Sequence, residues 1–480
     1  MRPRRSLFRN ISLTGVKRCF DQPADLGKGS VGLILLQMSL PAIGMMFLNT
    51  LFFLVDTIFI SWLGELPTAS VSLTFPVNIS LFALLEGVAG GTTALVGRNL
   101  GRRDVAAARK VAFSGLSLGY VVSVCFIPML FPGVSAVLFN QLGASGNTEI
   151  LGMSYAYNMW LPLMAPLIAY TFMSNSIFRC QGNTVTPFIA MGIANLFNGI
   201  LDYVFIFVLD WGVRGAGAAT FVARIFALIY IRHKMRRNPQ ISFPFLLAPK
   251  AGLTAYWKNI TAVGLPVTLA TGSIALGFGA VNRVLASFGH HAVAAWMLGI
   301  RVEDFYFTVA MGVSSALTPF LAYNYGRRDL PRMIEGIKSA AFIAGTIMTL
   351  IGAVIFIYPH VFLGLFHPSE RVLDLSSRSI RISMLAYPIV IMQFSIGSFF
   401  IATGYSIFST ATQLTRSVLS RIPAAYFSAW WLGERGIWWF QPSSMILGGV
   451  VTWCGYLYAR KKIGESFAKA IHQCVIEDSP

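Results

Sequence analysis

Three polar residues inside long apolar segments, Asp56, Asn198 and Asp202, have the types and spacing needed to bind or exchange a small cation. A carboxylate at membrane depth costs roughly 2.5–3.5 kcal/mol on insertion scales, so it usually faces a bundle interior or a water-filled path. The alternative for Asp56 is a carboxylate near a helix end that reaches the lipid headgroups. Asn198 and Asp202 are four residues apart and therefore share one helix face.

The two aspartates are expected to reach the same depth. Asp56 lies about eight residues before Gly64 and Asp202 about ten before Gly212, which puts both carboxylates roughly 12–15 Å below the outer surface. Two neighbouring carboxylates in a low dielectric cannot both ionise cheaply, which suits proton exchange. The same oxygens, with the Asn198 amide, would also ligate sodium, a hard cation that prefers oxygen. We favour protons and leave sodium open.

Composition places these residues in a membrane. The 480 residues are 55% hydrophobic and 12% charged, about half the charged fraction of a soluble protein. The net charge of +18 comes from basic residues in short loops between apolar spans, the positive-inside pattern, which argues against nucleic-acid binding. There is no Walker A, HExxH or GxSxG motif, so we expect neither an ATPase nor an enzyme, no cofactor and no catalytic residue.

Twelve transmembrane helices are predicted, with both termini cytoplasmic and the chain in the inner (cytoplasmic) membrane. We expect a basic N-tail (1–30), an N-terminal bundle (31–232), a cytoplasmic linker (233–258), a C-terminal bundle (259–460) and a C-tail (461–480). The predicted spans are 32–63, 67–97, 107–131, 150–178, 184–209, 213–232, 259–288, 291–322, 334–360, 378–403, 408–432 and 436–459.

The two bundles repeat each other in sequence. One constant shift along the chain, called the repeat shift below, sets Leu40-Pro41 on Leu265-Pro266, Gly64 on Gly289 and the run 101–104 on 326–329, both of which read GRRD. Such register indicates duplication. Each half has an even number of spans, so the repeats are parallel, with the transport path expected at their interface. The sequence thus predicts an all-α polytopic protein of two pseudo-symmetric six-helix bundles.

Several runs together carry a family resemblance. LVDTIFISWLG, EGVAGGTTALVGRNLGRRD and GVRGAGAAT, with Asn198 and Asp202 before the last, resemble the multidrug and toxic compound extrusion (MATE) family of the MOP flippase superfamily. The resemblance covers roughly residues 32–460. It implies a V-shaped pair of six-helix bundles with a cleft that opens alternately to each side. It also implies export of organic, often cationic compounds in exchange for protons or sodium.

The resemblance is closer to the DinF-like branch than to the NorM-like branch, whose members carry an acid in the seventh span. That span has no acid here, which puts a sodium site in the C-terminal half in doubt. The DinF-like pattern implies that Asp56, Asn198 and Asp202 couple the ion. It adds Asn175 in the fourth span and Thr220 in the sixth to that set.

Further residues have weaker signals. Glu86, in the inner half of the second span, is a possible relay or gate, or an ion-pair partner of a base near Arg98. Pro41 is a possible hinge, or a fixed kink. Candidate substrate contacts, chosen because methionines and rings adapt to varied cargo, are Met45, Phe52, Met173 and Phe205. For the C-terminal charges we expect local salt bridges, with a polar patch that contacts substrate as the alternative: these are Arg283, Arg301, Glu303, Asp304, Arg416 and Arg421.

The sequence and its resemblance together predict a secondary active multidrug efflux antiporter. Its partners would be small organic molecules and membrane lipid, with no nucleic acid, and we expect a monomer. The alternative is a lipid or lipid-linked oligosaccharide flippase of the same superfamily, which would need a large basic cavity. A membrane-embedded enzyme and a passive channel are further rivals.

Overall fold

The structure is a computed structural model that describes residues 23–144, 146–242, 245 and 254–477. The predicted N-tail, linker and C-tail lie partly outside these residues, at 1–22, within 243–253 and at 478–480. Described residues form helices joined by short turns, and no strand occurs among them. The all-α class is confirmed.

Nine helices in the described ranges are long and apolar enough to cross a membrane. Each coincides, within several residues at either end, with one of the first nine predicted spans. In chain order they are α1 (Val31–Ser61), α2 (Glu65–Gly101), α3 (Val105–Leu130), α4 (Thr148–Cys180), α5 (Val185–Val208), α6 (Gly212–Arg236), α7 (Trp257–Ala286), α8 (His290–Gly326) and α9 (Leu330–Ile357).

The last three spans are less regular. Helix α10 is a pair, Glu370–Met384 and Tyr387–Thr403, bent by 55°. Helix α11 runs from Ser406 to Gly436 and is interrupted by the wide turn Thr415–Leu419. Helix α12 (Phe440–Glu477) begins in the twelfth predicted span and continues beyond it. The chain is thus a polytopic membrane protein with the twelve predicted helices.

Two compact units make up the chain, and their limits fall at two prolines. One unit contains Asp25–Ser39 and Pro266–Pro480, and the other contains Leu40–Leu265. The limits lie beside Pro41, inside α1, and at Pro266, inside α7. A proline inside a helix removes one backbone hydrogen bond and bends or weakens the helix there.

The backbone repeats what the sequence repeats. Arg103 and Arg328, which the repeat shift sets on each other, both adopt left-handed backbone angles, with φ of 63° and 59°. The aspartates that follow them cap the next helix: Asp104 accepts a hydrogen bond from the Ala107 amide, and Asp329 accepts one from the Arg332 amide. The GRRD turn therefore ends one helix and starts the next in both halves.

Candidate functional site

Asp56 lies in the second half of α1 and is buried, with 7% of its surface exposed. Its Oδ2 accepts a hydrogen bond of 2.9 Å from the Tyr157 hydroxyl on α4. Its Oδ1 has no donor in the part of the chain that the structure describes. Since a buried carboxylate without full hydrogen bonding is costly, this oxygen is suited to a proton or a cation.

Asp202, near the end of α5, is fully buried, at 0% exposure. Neither of its carboxylate oxygens has a donor among the described residues. It lies within electrostatic range of Asp56, and Tyr157 is within range of both acids. The two aspartates, called the acid pair below, are thus near enough to interact electrostatically.

Asn198, which shares α5 with Asp202, is joined to Thr220 of α6 by one hydrogen bond. Asn198, one turn before Asp202 on α5, is buried, and its Nδ2 donates to the Thr220 Oγ1 on α6 at 3.4 Å. Its Oδ1 has no donor within the described ranges. Together with the acid pair, this side chain supplies four acceptor oxygens without a donor: Asp56 Oδ1, both Asp202 oxygens and Asn198 Oδ1.

Glycines bring the helices that carry these residues close together. A Cβ on Gly199 of α5 would lie 3.8 Å from Val55, the neighbour of Asp56 on α1. A Cβ on Gly217 of α6 would lie only 2.5 Å from the Trp160 ring and 2.8 Å from the Tyr157 carbonyl oxygen. A larger residue at 217 would therefore displace the segment of α4 that carries Tyr157. The GVRGAGAAT run is thus needed for close packing at this site.

Arg224 on α6 adds one positive charge near the acid pair. Its guanidinium lies 5.4 Å from the Phe52 ring centroid and 5.5 Å from that of Phe82, within the range of cation–π attraction. It is also in electrostatic range of Asp56. Two carboxylates and one guanidinium leave a net charge of −1 when all are ionised, so the site attracts a further positive charge.

The other predicted polar residues lie elsewhere in the same unit. Asn175 on α4 is half-buried, and its Oδ1 has no donor among the described residues. Glu86 on α2 is exposed at the surface of its unit and is in electrostatic range of Arg179. Among the described residues, no contact joins either residue to the acid pair, so the roles of both stay predictions. Pro41 is buried inside α1.

The four candidate substrate contacts differ in burial. Phe52 is buried against Ala194 and Ala227 and beside Arg224. Met173 is fully buried, and its sulfur lies 3.7 Å from the Thr92 hydroxyl. Met45 is half-buried on α1, and Phe205 packs against Trp211 with ring centroids 5.2 Å apart. These four assignments stay predictions.

Sequence reasoning missed Tyr157. In a chain with 16 tyrosines, nothing in the spacing around residue 157 distinguishes it from an interfacial or core tyrosine. Its role depends on the packing of α4 against α6 at Gly217. The available signal was the close packing that Gly215-Ala216-Gly217 allows. These residues do not indicate which helix packs against them.

In the C-terminal unit, Glu303 is held by an amide and not by the expected salt bridge. The Gln441 Nε2 donates to both Glu303 oxygens, at 2.9 and 2.7 Å, and both side chains are buried. Among the described residues, ion pairs join Arg371 to Glu434 and Arg378 to Asp374. None of the six charges singled out above, at positions 283, 301, 303, 304, 416 and 421, takes part in them. An uncharged donor therefore makes the hydrogen bonds that an ion pair was expected to make, while Arg421 lies within electrostatic range of Glu303.

Comparison with known proteins identifies the family. The family model MatE matches residues 41–204 and, a second time, residues 266–427. The chain is 28% identical over 441 residues to the FAD transporter of Shewanella oneidensis, covering 90% of this chain and 95% of that protein. It is 27% identical over 424 residues to the multidrug export protein MepA of Staphylococcus aureus, covering 86% and 90%.

Solved structures agree with the sequence relatives. A structure described as the outward-facing conformation of a multidrug resistance MATE family transporter of the MOP superfamily matches with a TM-score of 0.84 and 25% identity, covering 93% of this chain and 99% of that one. The two matched segments are the two halves of the predicted duplication. Members of this family are transporters and not enzymes. The chain belongs to the MATE family of membrane transporters.

Proposed function

We propose that this chain is a proton-coupled antiporter of the DinF-like branch that exports organic, often cationic compounds. The observation that carries the proposal is the acid pair, two buried carboxylates in electrostatic range of each other with three of their four oxygens lacking a donor among described residues. An ionisable group at membrane depth is by default a functional site. The similarity to MepA, named as a multidrug export protein, supports an export role.

The charge of the site suggests how exchange works. With both acids ionised, Arg224 leaves a net charge of −1, and a cationic compound is attracted. With both protonated, the net charge is +1, and the same compound is repelled. Protons from outside thereby release cargo, and the acids lose them again on the inner side. Protonation is expected to rearrange α1, since Asp56 lies on it and Pro41 interrupts it.

Protons are favoured over sodium because of the ligands present. Sodium would use the four donor-free oxygens of Asp56, Asp202 and Asn198, with Thr220 beside them. A hard cation usually takes six or more oxygens, whereas a proton shared by a carboxylate pair needs only that pair.

The remaining assignments follow from this function. The chain would lie in the inner membrane with both termini cytoplasmic, as the basic loops indicate. It would act as a monomer on small organic molecules within membrane lipid. Pro41 would be the hinge of α1, and Glu86 the relay or gate on the inner side.

The test is transport of a cationic dye in proteoliposomes under separately imposed proton and sodium gradients. We expect the proton gradient alone to drive transport, and Asp56→Asn and Asp202→Asn to abolish it. Asp210→Asn, an exposed acid beyond the end of α5, is the matched control and should transport normally. Transport driven only by sodium would reject proton coupling, and normal transport by Asp56→Asn would remove the acid pair from the mechanism.

A second candidate cargo is an anionic organic compound of the flavin dinucleotide kind, as the name of the Shewanella relative suggests. The C-terminal unit favours it: Arg421 is buried at 8% exposure, and its Nε has no acceptor among described residues. Arg416, which bonds Gln393 at 3.4 Å, and Glu303 are close enough to interact with it electrostatically. Two guanidiniums and one carboxylate leave a net charge of +1. FAD uptake by inside-out vesicles, lost in Arg421→Gln and kept in Arg378→Gln, would support this cargo, while no uptake by wild type would exclude it.

A further inference from the structure

A groove in the C-terminal unit lies apart from every residue used above for ion coupling. It has a volume of about 840 Å³ and lies between α8, α9, α10 and α12. Along α9 it extends from Ile334 to Ile357, about 35 Å at 1.5 Å per residue. A groove of this length can accommodate an acyl chain that begins at the membrane surface.

The lining of the groove is apolar along its length and basic at one end. Its middle is lined by residues such as Gly345, Met348 and Ile391. Lys338 and Arg460 line the end that faces the basic side of the membrane, both are exposed, and the lining contains no acidic residue. Neither base belongs to an ion pair in the described part of the chain. This charge pattern fits an amphiphile with a negative head.

In the first half of the chain, two tyrosines on neighbouring helices contact a phenylalanine from outside those helices. Phe245, from the connection between the bundles, packs against Tyr120 of α3 and Tyr170 of α4, with ring centroids 6.1 and 5.4 Å apart. The Tyr120 hydroxyl also donates to the Phe245 carbonyl. Phe245 therefore occupies the position beside Tyr120 and Tyr170.

The duplication maps these two tyrosines onto the lining of the C-terminal groove. The repeat shift sets Tyr120 on Gly345. The ends of α4 and α10 align through Gly182 and Gly404, which both have φ of 78°, and in that register Tyr170 corresponds to Met392. Gly345 and Met392 both line the C-terminal groove. The side chains that hold Phe245 in the first half are thus replaced by a glycine and an unbranched residue, which leaves room for a different apolar occupant.

We propose that the groove between α8, α9, α10 and α12 binds an anionic phospholipid, with its phosphate on Lys338 and Arg460 and an acyl chain along α9. Basic pockets between membrane helices on the cytoplasmic side are suited to acidic lipid headgroups. Since the acyl chain leaves one apolar environment for another when it enters the groove, specificity comes from the head. The site is independent of the proposed ion coupling.

The test is native mass spectrometry of the purified, delipidated full-length protein with added phosphatidylglycerol or phosphatidylcholine. We expect wild type to retain phosphatidylglycerol in preference to phosphatidylcholine. Lys338→Gln/Arg460→Gln should lower retention of phosphatidylglycerol about tenfold or more and leave phosphatidylcholine unchanged, since each base contributes to anionic-lipid attraction. The matched control is Lys461→Gln/Lys462→Gln, which removes the same charge from exposed positions on α12 outside the groove.

A second variant tests the groove itself. A Cβ on Gly345 would meet only Ile391, at 4.0 Å, so Gly345→Leu fills the groove with little effect on packing and should reduce retention of both lipids. Gly133→Leu, where a Cβ meets nothing within 4 Å, is its control. Equal retention by the two double variants, or normal retention by Gly345→Leu, would overturn the proposal. Loss of dye export in Gly345→Leu with unchanged lipid retention would assign the groove to cargo and also overturn it.

Discussion

At the scale of single residues, the hydrogen bond between Tyr157 and Asp56 is the contact that most directly controls the acid pair. The Tyr157 hydroxyl donates a hydrogen bond to Asp56 Oδ2 at 2.9 Å, and Asp56 is buried. A carboxylate stabilised by a donor ionises more readily than one without it. Tyr157 is therefore a positioning residue that holds the Asp56 carboxylate through this hydrogen bond.

Tyr157→Phe should slow export because it removes this donor and leaves a buried acceptor unpaired, at a cost of about 1–3 kcal/mol. We expect an initial rate of dye export at least several-fold below wild type, with an altered pH profile. The control is Tyr155→Phe on the same helix, which removes a hydroxyl that donates to the Leu130 carbonyl at 2.8 Å. If both variants lose thermal stability equally and neither changes the pH profile, Tyr157 has only a structural role.

At the scale of elements, the prolines of α1 and α7 coincide with the limits of the two compact units. An interior proline destabilises a helix by about 3 kcal/mol or more. A helix that stays straight gains nothing from such a proline, yet both repeats contain one. Interrupted helices at matching positions in two repeats are typical of the moving parts of transporters. The location supports a hinge at Pro41.

Pro41→Ala should therefore raise the thermal unfolding midpoint and lower the rate of export. The added amide restores a helical hydrogen bond, and the stiffer α1 changes conformation less readily. Pro76→Ala is the matched control, because Pro76 lies in the first turn of Phe75–Gly101, where its missing amide has no helical partner. Unchanged export by Pro41→Ala, together with a raised midpoint, would mean that the proline is a fixed kink.

The repeated GRRD turn makes a separate prediction about stability. Asp104 and Asp329 each cap a helix through one side-chain hydrogen bond, and loss of such a cap costs about 0.5–2 kcal/mol. Asp104→Ala and Asp329→Ala should lower the thermal midpoint in detergent by similar amounts. Glu335→Ala, which removes an exposed acid from the second turn of α9, should leave it unchanged. A drop in only one of the two aspartate variants would show that the turns are not energetically equivalent.

At the scale of the whole molecule, the sequence predicted the features that depend on the length of apolar runs and on the register of the internal repeat. Apolar runs long enough to cross a bilayer gave the helices, and the repeat shift gave the duplication, down to the matched left-handed Arg103 and Arg328. Equal spacing from the ends of their helices predicted that Asp56 and Asp202 would lie near each other. These features depend on the chain's local composition and on distances along single helices.

What the sequence did not predict depends on contacts between helices. The amide of Gln441 on Glu303 and the hydroxyl of Tyr157 on Asp56 join residues 138 and 101 positions apart. The bend in α10 arises where an amphipathic segment, Glu370–Met384, meets an apolar one. A hydropathy average over a window of residues does not detect a change of direction, so it assigns such a junction to one span.

Orientation in the membrane is the largest consequence of the charge distribution, and it can be tested with the two ends of one helix. Glu65 is the first residue of α2 and Arg102 follows its last, and both are exposed. The segment Phe75–Gly101 alone has 27 residues, about 40 Å at 1.5 Å per residue, which exceeds the hydrocarbon thickness of roughly 30 Å. The two flanking positions must therefore lie on opposite sides. Because the arginines at 98, 102 and 103 are at one end, that end is expected in the cytoplasm.

We expect Glu65→Cys, in a variant lacking the five native cysteines, to react with a membrane-impermeant maleimide in intact cells. Arg102→Cys should react only after the membrane is permeabilised. The cysteine-free parent is the control for background labelling, and dye export by each variant shows that it is folded. The opposite pattern would reverse the orientation. Proton entry at the acid pair would then be from the cytoplasm, and the same exchange would import cargo. The labelling result therefore tests the predicted direction of transport.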